Sequence, residues 1–466
     1  MNIKSAFSFF KRKSFCSIIK KHIAPKPLSI SFRRYIYVGK QIKYFHFVLS
    51  YCTFAEYYKG DFLKHFQIGK LWILYSLFCK TIIIDLFNKL YSLLIMSKIF
   101  FTQESNIELM VQGGKPMGGA VVATQVWMES LNELGNEVML FRNIEDNRQI
   151  LEKYKWVNSV KVYNSKKGFP ILRWPFYRLP KFFVAIKKSR PDFVLESIPT
   201  WTSYFYCLIC HFLGTKHILR LANDNMLDER IKWTHSTFER FFIARAFKKT
   251  DFILTQNQFQ FNNVKAKYPS KKVIKISNPF RISKQELNFK TLNKGYISWV
   301  ANFRYQKNLQ LLYRIAVQLP NEQFKIAGQP LIPMDQESTE YLEKLKSLSN
   351  VHLVGSISRD MILDFLKDSK FLLNTSRYEG FSNTFLEAMQ SGTPILTTPN
   401  VNPDSIISDY QIGMIYEDEA NLRLILENMT EEIYLNMSKN CIDYIENNHD
   451  HLVLGKKLLD FLHDTQ

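Results

Sequence analysis

The chain has 466 residues, of which 46% are hydrophobic, so it is long enough for two or three domains with ordinary cores. It carries 62 Lys and Arg against 42 Asp and Glu, a net charge of +20, which predicts attraction to anionic partners. Nucleic acid is not the expected partner, because the main body shows no basic patch with interleaved aromatic residues on a recognisable module. Six scattered cysteines argue against a disulfide framework and favour a reducing compartment.

Residues 1–95 hold most of the charge imbalance, with 16 Lys and Arg against three acidic residues. Their most apolar stretch, 71–95, is interrupted by three charged residues, whereas a membrane-spanning helix needs about 18 apolar residues in a row. We therefore predict a basic, aromatic helix that lies in the membrane interface. A second interpretation stays open, because residues 96–98 resemble a natural protein start and 1–95 would then be a mis-assigned start.

From residue 96 the pattern alternates between strands and helices. Strands are predicted at 99–102, 137–141, 160–163, 193–196, 217–221, 252–255 and 273–276. A glycine-bearing loop at 113–119 follows the first strand, and a helix is predicted over 120–134. Such alternation indicates a parallel sheet that is covered by helices on both faces.

A polar linker is predicted at 279–295, after which the alternation begins again. The second set has strands at 296–300, 324–327, 351–354, 371–374, 394–397 and 413–415, and helices at 308–318, 336–348, 359–367, 384–391 and across 420–464. We predict an α/β fold with two Rossmann-like doubly wound domains, 96–278 and 296–435, that face each other across a cleft. C-terminal helices at 436–466 are expected to cross back to the first domain. Ligands in such sheets bind at the carboxyl ends of the strands.

The stretch 374–398 reads NTSRYEGFSNTFLEAMQSGTPILTT, which predicts a strand, a loop and then a helix. Ser382 is the expected N-cap, and the free N–H groups of the first helical turn suit a diphosphate. Gly380 would let the backbone approach a ligand closely. Glu379 lies before the helix and Glu387 about one turn inside it, so one can meet a sugar while the other holds a ribose. The alternative is that Glu379 caps the helix and Glu387 is solvated, but the ordered set of residues favours a site.

This stretch resembles the glutamate–seven residues–glutamate signature of the retaining glycosyltransferases of family 4, which have the two-Rossmann GT-B fold. Residues 299–309, 324–328 and 350–355 resemble neighbouring segments of that family's donor domain. The resemblance implies that Glu379 contacts the transferred sugar and that Glu387 binds the ribose hydroxyls of the nucleotide. It also implies backbone donors to the sugar and diphosphate from Gly380, Phe381, Ser382, Asn383 and Thr384.

Lys307 would neutralise the diphosphate as this leaving group develops charge. It lies at the start of a predicted helix, where a cation is mildly unfavourable and a bound diphosphate would explain it; the alternative is a surface lysine in water. The family often has Arg where this chain has Asn302. Arg304 is expected to take over that phosphate contact, because an extended chain keeps 302 and 304 on one side.

In the first half, Gly118 and Gly119 resemble the family's glycine loop, where donor and acceptor meet. The family often carries a histidine near the reaction centre, but residues 196–201 contain none. Asn223 and Asp224 follow a predicted strand and are acceptor-side candidates, with a simple turn as the alternative. No metal site is expected, because no Asp-x-Asp pair follows a strand, and Lys307, Arg304 and the helix end would supply the positive charge.

The resemblance implies a metal-independent, retaining enzyme that moves a sugar from a nucleotide-diphosphate sugar to a glycan or lipid-linked acceptor. Surface polysaccharide or lipopolysaccharide synthesis is the expected setting. The expected location is the cytoplasm, at the inner face of the membrane through residues 1–95, and no cofactor beyond the donor substrate is expected. Two alternatives stay open: a sugar-nucleotide epimerase of the same fold, and a non-catalytic scaffold in a glycan-assembly complex.

Overall fold

The structure is a computed structural model that describes residues 96–114, 118–169, 172–283, 291–292 and 294–464. The predictions for residues 1–95 lie outside the described residues. Residues 96–466 form one compact unit. Among the described residues, no helix combines the length and the apolar character that crossing a bilayer requires.

In the first half of the described chain, seven parallel strands form one sheet in the order β3-β2-β1-β4-β5-β6-β7. The strands are β1 (Lys98–Phe101), β2 (Glu137–Arg142), β3 (Asn158–Lys161), β4 (Phe193–Glu196), β5 (Lys216–Arg220), β6 (Phe252–Thr255) and β7 (Lys272–Lys275). The helices are α1 (Gly119–Glu133), α2 (Leu179–Ser189), α3 (Ser203–Leu213), α4 (Thr237–Lys249) and α5 (Gln258–Lys267). The central strands are almost wholly apolar because helices cover both faces of the sheet.

The second half of the described chain forms a sheet of six parallel strands in the order β10-β9-β8-β11-β12-β13. These strands are β8 (Tyr296–Val300), β9 (Phe324–Ala327), β10 (Val351–Gly355), β11 (Ser369–Leu373), β12 (Ile395–Thr397) and β13 (Gly413–Ile415). Its helices are α6 (Leu309–Gln318), α7 (Gln336–Lys346), α8 (Ile362–Lys367), α9 (Asn383–Gln390), α10 (Ile406–Asp409), α11 (Glu419–Glu427), α12 (Glu431–Asn448) and α13 (His451–Asp464). The predicted fold of two doubly wound domains is confirmed, whereas the residues at which the domains divide stay a prediction.

The two faces of the first sheet carry different helices. Ile99 and Phe101 of β1 pack in one core with Trp127 of α1 and with α13. Phe100, between them, packs on the opposite face, where its ring lies 6.1 Å from that of Phe182 in α2. The alternation of side chains along a strand produces this division. Helices α2 and α3 therefore form a layer on the face away from α1 and α13.

Several predicted elements differ from the structure in their bounds. Strand β3 begins and ends two residues before its predicted position at 160–163. The helices expected across 420–464, a fully described stretch, are α11, α12 and α13. The divisions have local causes, because the side chain of Thr430 accepts the N–H of Ile433 and that of Asp450 accepts the N–H of Val453. Each acceptor starts a new helix rather than continuing the old one.

The segment between the sheets runs beside the junction of α12 and α13. The N–H of Phe280 donates to the carbonyl of His449 at 2.7 Å, and the N–H of His451 donates back to the carbonyl of Phe280 at 3.1 Å. Loops from the carboxyl ends of both sheets meet nearby, where Gly380 after β11 touches Ala222 after β5. The two domains thus meet where strand ends of both sheets converge, the usual ligand position in this architecture.

Candidate active site

Two loops at the carboxyl end of the second sheet form one unit. Strands β8 and β11 are neighbours, so the loops that follow them lie side by side. The hydroxyl of Thr375 donates to the carbonyl of Lys307 at 2.7 Å, and the N–H of Arg377 donates to the carbonyl of Gln306 at 2.8 Å. The Gln306 amide in turn donates to the carbonyl of Tyr378 at 2.8 Å. These bonds bring Lys307 and Glu379 together, although about 70 residues separate them.

Lys307 and Glu379 form an ion pair that is largely removed from water. The ammonium of Lys307 contacts Oε1 of Glu379, and the two side chains are 13% and 9% exposed. Nε2 of Gln306 lies 3.3 Å from the other carboxylate oxygen. A buried pair of this kind is sensitive to the loss of one partner, because the remaining charge has little water around it. An anionic ligand beside Lys307 would compete with Glu379 for the same cation.

Helix α9 begins beside this pair with an N-terminus that no side chain caps. Ser382 occupies the N-cap position as predicted, but its hydroxyl makes no capping bond and instead lies 2.8 Å from the hydroxyl of Thr384. A helix leaves its first N–H groups without intrahelical partners, and their positive end attracts anions. The arrangement suits a phosphate group at Ser382 to Thr384.

Glu387 lies in the middle of α9 and is in a different electrostatic state from Glu379. It is half-buried and lines the cleft together with the exposed Arg359. Burial raises the pKa of Glu387 to about 7, and the positive charge of Arg359 offsets part of that rise. Its carboxyl group is therefore close to half ionised near neutral pH, and hydrogen bonds from a ligand would favour the ionised form.

The two further donor-side candidates lie in the loop after β8. Asn302 is half-buried, whereas Arg304 is exposed in extended backbone just before the turn Tyr305–Lys307. Both thus lie on the loop that carries Lys307, as the sequence predicts. Phe381 differs from its neighbours, because its side chain is buried with its ring 5.2 Å from that of His449. Only the backbone of Phe381 is therefore placed to meet a ligand.

The glycine loop of the first domain meets the start of α9 across the cleft. Nδ2 of Asn383 donates to the carbonyl of Gly119 at 2.5 Å. A Cβ at Gly119 would lie 3.0 Å from the same nitrogen, so the loop has little spare room there. Gly118, with φ of 90°, has a backbone that other residues rarely adopt. The glycine pair and the start of α9 are therefore direct neighbours.

Asp224 lies at a second contact between the domains. Its carboxylate accepts hydrogen bonds from Asn257 at 3.0 Å and Gln260 at 2.8 Å, and the same amide of Asn257 donates to the carbonyl of Gly380 at 2.9 Å. Burial raises the pKa of Asp224 to about 6, and the two amide hydrogen bonds oppose this rise. Asn223, half-buried in extended backbone, precedes it. Asp224 thus supports the loop that carries Glu379, whatever its contact with an acceptor.

A cleft of about 680 Å³ opens between the two domains. Its lining combines α1, the segment after Asn278 and the exposed side of α8 and α9, with Glu129, Glu133, Arg281, Arg359, Asn383 and Glu387 as its main polar members. Lys307 and Glu379 are not among the lining residues. In the described part of the chain, no group of three His, Cys, Asp and Glu side chains could hold a metal ion, and metal independence stays a prediction.

Sequence reasoning missed three amide side chains that hold the site together: Gln306, Asn257 and Asn278. Asn278 accepts a hydrogen bond from the buried Arg220 at 2.5 Å and donates to Oδ1 of Asn383 at 2.9 Å. Burial lowers the pKa of Arg220 to about 10. No local pattern marks such residues, because each acts on a partner more than 50 residues away. His217 of the first domain is buried, with its Nε2 3.0 Å from Glu196, and does not line the cleft.

Comparison with known proteins agrees with this geometry. Residues 281–448 match the family model described as glycosyl transferases group 1. This part of the chain is therefore similar to that family.

Curated relatives of this domain match over limited lengths. An uncharacterized glycosyltransferase of Methanocaldococcus jannaschii is 25% identical over 264 residues, which cover 51% of this chain and 63% of that protein. The alpha-monoglucosyldiacylglycerol synthase of Streptococcus pneumoniae is 26% identical over 127 residues, 26% of this chain and 28% of that protein. The chain therefore spans less than two thirds of the length of these relatives.

A solved structure matches over a longer range. Anabaena HepE, solved in complex with UDP and glucose, superposes with a TM-score of 0.62 at 13% identity, covering 79% of this chain and all of HepE. At this identity the likeness concerns the fold, which is the GT-B arrangement of two Rossmann-like domains.

Proposed function

We propose that the chain is a glycosyltransferase that moves a sugar, with retention, from a nucleotide-diphosphate sugar to a glycan or lipid-linked acceptor. The observation that carries this proposal is the meeting of Lys307, Glu379 and the uncapped start of α9 at the strand ends of the second sheet. Gly119 of the first domain lies against the same helix start. A cation paired with a carboxylate, an anion-binding helix end and a second carboxylate further along that helix suit a diphosphate joined to a sugar and a ribose.

Each group has a distinct proposed role on the donor. Backbone N–H groups from Gly380 to Thr384 would bind the diphosphate and sugar, with help from Arg304 and Asn302. Glu387 would accept hydrogen bonds from the ribose hydroxyls, and Glu379 would contact the transferred sugar. UDP sugars are the first donors to test, because HepE was solved with UDP and glucose.

The proposed reaction breaks the bond between the anomeric carbon and the diphosphate oxygen and forms one from that carbon to the acceptor oxygen. It releases a nucleoside diphosphate and a proton. Lys307 would stabilise the charge that develops on the leaving diphosphate. Its ion pair with Glu379 supports this role, since an arriving diphosphate can share the cation and leave the carboxylate available to the sugar.

The proposed setting is the synthesis of a surface polysaccharide or lipid-linked glycan on the cytoplasmic side of a membrane. The lipid product named for the Streptococcus pneumoniae relative supports a lipid-linked acceptor. The chain is further proposed to work without a metal ion, because Lys307, Arg304 and the start of α9 can supply the positive charge.

Donor binding tests the site. Intact UDP- and GDP-sugars should raise the melting temperature of the full chain, because a ligand that binds only the folded state stabilises it. Lys307→Ala and Glu387→Ala should each weaken the binding of the donor that gives the largest rise, as measured by calorimetry. Lys370→Ala is the matched control, because Lys370 also pairs with a glutamate and its side chain is likewise 13% exposed, but it lies in β11 outside the loops. Unchanged donor affinity in both site variants would refute the assignment.

Product analysis separates transfer from the alternatives. Labelled donor and a lipid or glycan acceptor should yield a labelled acceptor whose anomeric configuration, read by NMR, is that of the donor. Conversion of the donor into an isomeric nucleotide sugar would instead indicate an epimerase. Donor binding without any turnover would favour a non-catalytic role.

A further inference from the structure

The outer face of the first domain carries an unusual concentration of aromatic side chains. It consists of α2, α3, α4 and the turn Trp174–Arg178, on the side of the sheet away from α1 and α13. Phe176 and Phe212 are 76% and 77% exposed, and Phe238 is 59% exposed. We call this surface, formed by residues 172–190, 201–213 and 233–249, the aromatic face.

Several of the aromatic rings form a connected cluster that runs from the buried Trp174 to the exposed Phe238. The ring of Trp201 lies 4.6 Å from Trp174 and 5.8 Å from Phe238, and Phe238 lies 4.8 Å from Phe242. Phe205 stacks on Phe242 at 5.2 Å. Connected apolar patches on a protein surface mark interaction sites, whereas scattered apolar residues need no explanation.

The same surface is strongly basic. Its three segments, 172–190, 201–213 and 233–249, contain 10 Lys and Arg against one acidic residue, a net charge of +9 that exceeds the +7 of residues 96–466. The stretch 172–190 contains six basic residues and no acidic one. Lysines at 181, 187, 188, 248 and 249 are exposed. A partner of this surface must therefore offer both apolar area and negative charge.

We propose that the aromatic face docks on an anionic lipid bilayer. Aromatic rings insert at the boundary of headgroups and acyl chains, and surrounding lysines attract anionic headgroups. A second copy of the chain is a poorer occupant, because it would bring the same positive charge to the contact. Residues 1–95 are a poorer occupant for the same reason, since they too are basic.

The aromatic face continues to the mouth of the candidate active site. Trp233, exposed at one end of the face, has its ring 6.3 Å from that of Tyr378, the residue before Glu379. The guanidinium of Arg230 lies 5.8 Å from the same ring. A bilayer on this face would lie beside the loop that carries Glu379, so a lipid-linked acceptor could approach that loop without leaving the membrane; this last step rests on the proposed function.

Vesicle sedimentation of the full chain tests the docking. Vesicles of phosphatidylcholine with phosphatidylglycerol should bind the chain at least about tenfold more tightly than phosphatidylcholine alone, given several lysines at the contact. Lys187→Glu/Lys188→Glu should lose about tenfold of that affinity. Lys456→Glu/Lys457→Glu, an equally exposed adjacent pair on α13 on the other side of the sheet, should lose much less. Equal losses in the two pairs would show a nonspecific charge effect and overturn the proposal.

The apolar contribution is tested in the same assay. Phe238→Ser/Phe241→Ser should weaken vesicle binding several-fold, whereas Leu424→Ser/Ile433→Ser, exposed on the second domain, should not. Unchanged melting temperatures show that the variants fold. The donor should raise the melting temperature of these variants as much as that of the parent. Loss of vesicle binding can then be told apart from failure of the proposed function.

Hydrogen exchange locates the contact without any substitution. Anionic vesicles should slow exchange in peptides from 172–190 and 237–249 and leave those from α13 unchanged. Protection confined to 1–95 would overturn the proposal. If exchange at the aromatic face instead slows as protein concentration rises, in the absence of vesicles, the occupant is a second copy of the chain and the proposal is overturned.

Discussion

Glu379 and Glu387 share one short stretch of sequence but differ in their electrostatics. Glu379 faces a lysine that neutralises it, whereas burial dominates the surroundings of Glu387 and raises its pKa to about 7. The difference matches their proposed roles. A carboxylate that meets a sugar beside a diphosphate needs a nearby cation, whereas one that binds neutral ribose hydroxyls does not.

The raised pKa of Glu387 predicts a pH dependence of donor binding. Ribose hydroxyls donate to the ionised carboxylate, so donor affinity should rise by roughly tenfold from pH 6 to pH 8 as Glu387 ionises. Calorimetry with an intact nucleotide sugar is the measurement, because its bridging diphosphate keeps its charge over this range. Glu387→Gln should bind more weakly at pH 8 and show a flat profile. A profile of unchanged slope in Glu387→Gln would assign the titration to another group.

The same group affects stability with a definite sign. Its folded pKa of about 7 lies above the ordinary value of 4.5, so the folded state binds the proton more tightly than the unfolded state. The resulting stability is fully present below pH 4.5 and is lost as pH rises through 7. Donor binding and folding therefore respond to the protonation of Glu387 in opposite directions.

At the scale of the elements, the site depends on where loops leave the strands. The chain pattern predicted strands β4, β6, β8, β9 and β13 at their observed bounds, and with them the loops that carry the candidate residues. The hydrogen bonds between the loops after β8 and β11 were not predictable, because Gln306 and Thr375 reach across to partners about 70 residues away. Local periodicity contains no information on such pairs.

Gly380 tests the contact between the domains. Its added Cβ would lie 2.6 Å from the carbonyl of Ala222, so Gly380→Ala should hold the domains apart and lower turnover by up to roughly 100-fold. The measurement is the turnover rate at saturating donor. Donor affinity should change little, because the residues proposed to bind the diphosphate and the ribose all belong to the second domain. Equal turnover in parent and variant would show that the reaction does not need this close approach.

Gly413→Ala is the contrasting control. A Cβ there would lie 1.9 Å from the carbonyl of Ile395 inside the second sheet, so this change should lower the melting temperature of the protein. In Gly380→Ala the added Cβ overlaps Ala222 at a contact between the domains rather than inside a sheet. This variant should therefore keep a melting temperature closer to that of the parent.

At the scale of the whole molecule, the last helix joins the two halves of the chain. Helix α13 follows the second domain in sequence, yet Leu454, Leu458 and Leu462 lie in the core of the first sheet. Gly455 permits this packing, because a Cβ would lie 2.0 Å from the hydroxyl oxygen of Ser130 in α1. Helix α13 thus completes the core on α1, which lies more than 300 positions earlier in the chain.

Leu458→Ala should therefore destabilise the first domain. Truncating a fully buried leucine lowers the free energy of unfolding by about 2–5 kcal/mol, which urea unfolding measures. Hydrogen exchange in α1 should also become faster. Leu452→Ala, an exposed leucine on the same helix, is the matched control and should cost less than about 0.5 kcal/mol. Equal effects of the two changes would mean that α13 does not support the first domain.

The sequence by itself determined the order of strands and helices, the glycine loop at Gly118 and Gly119, and the grouping of Glu379 to Glu387 around the start of a helix. These follow from local patterns of apolar residues, glycines and caps. Only the tertiary structure decided that Lys307 pairs with Glu379, that Gly380 touches Ala222, and that aromatic and basic residues of three helices share one face. These features join distant parts of the chain, and their geometry is set by how helices pack on the two sheets.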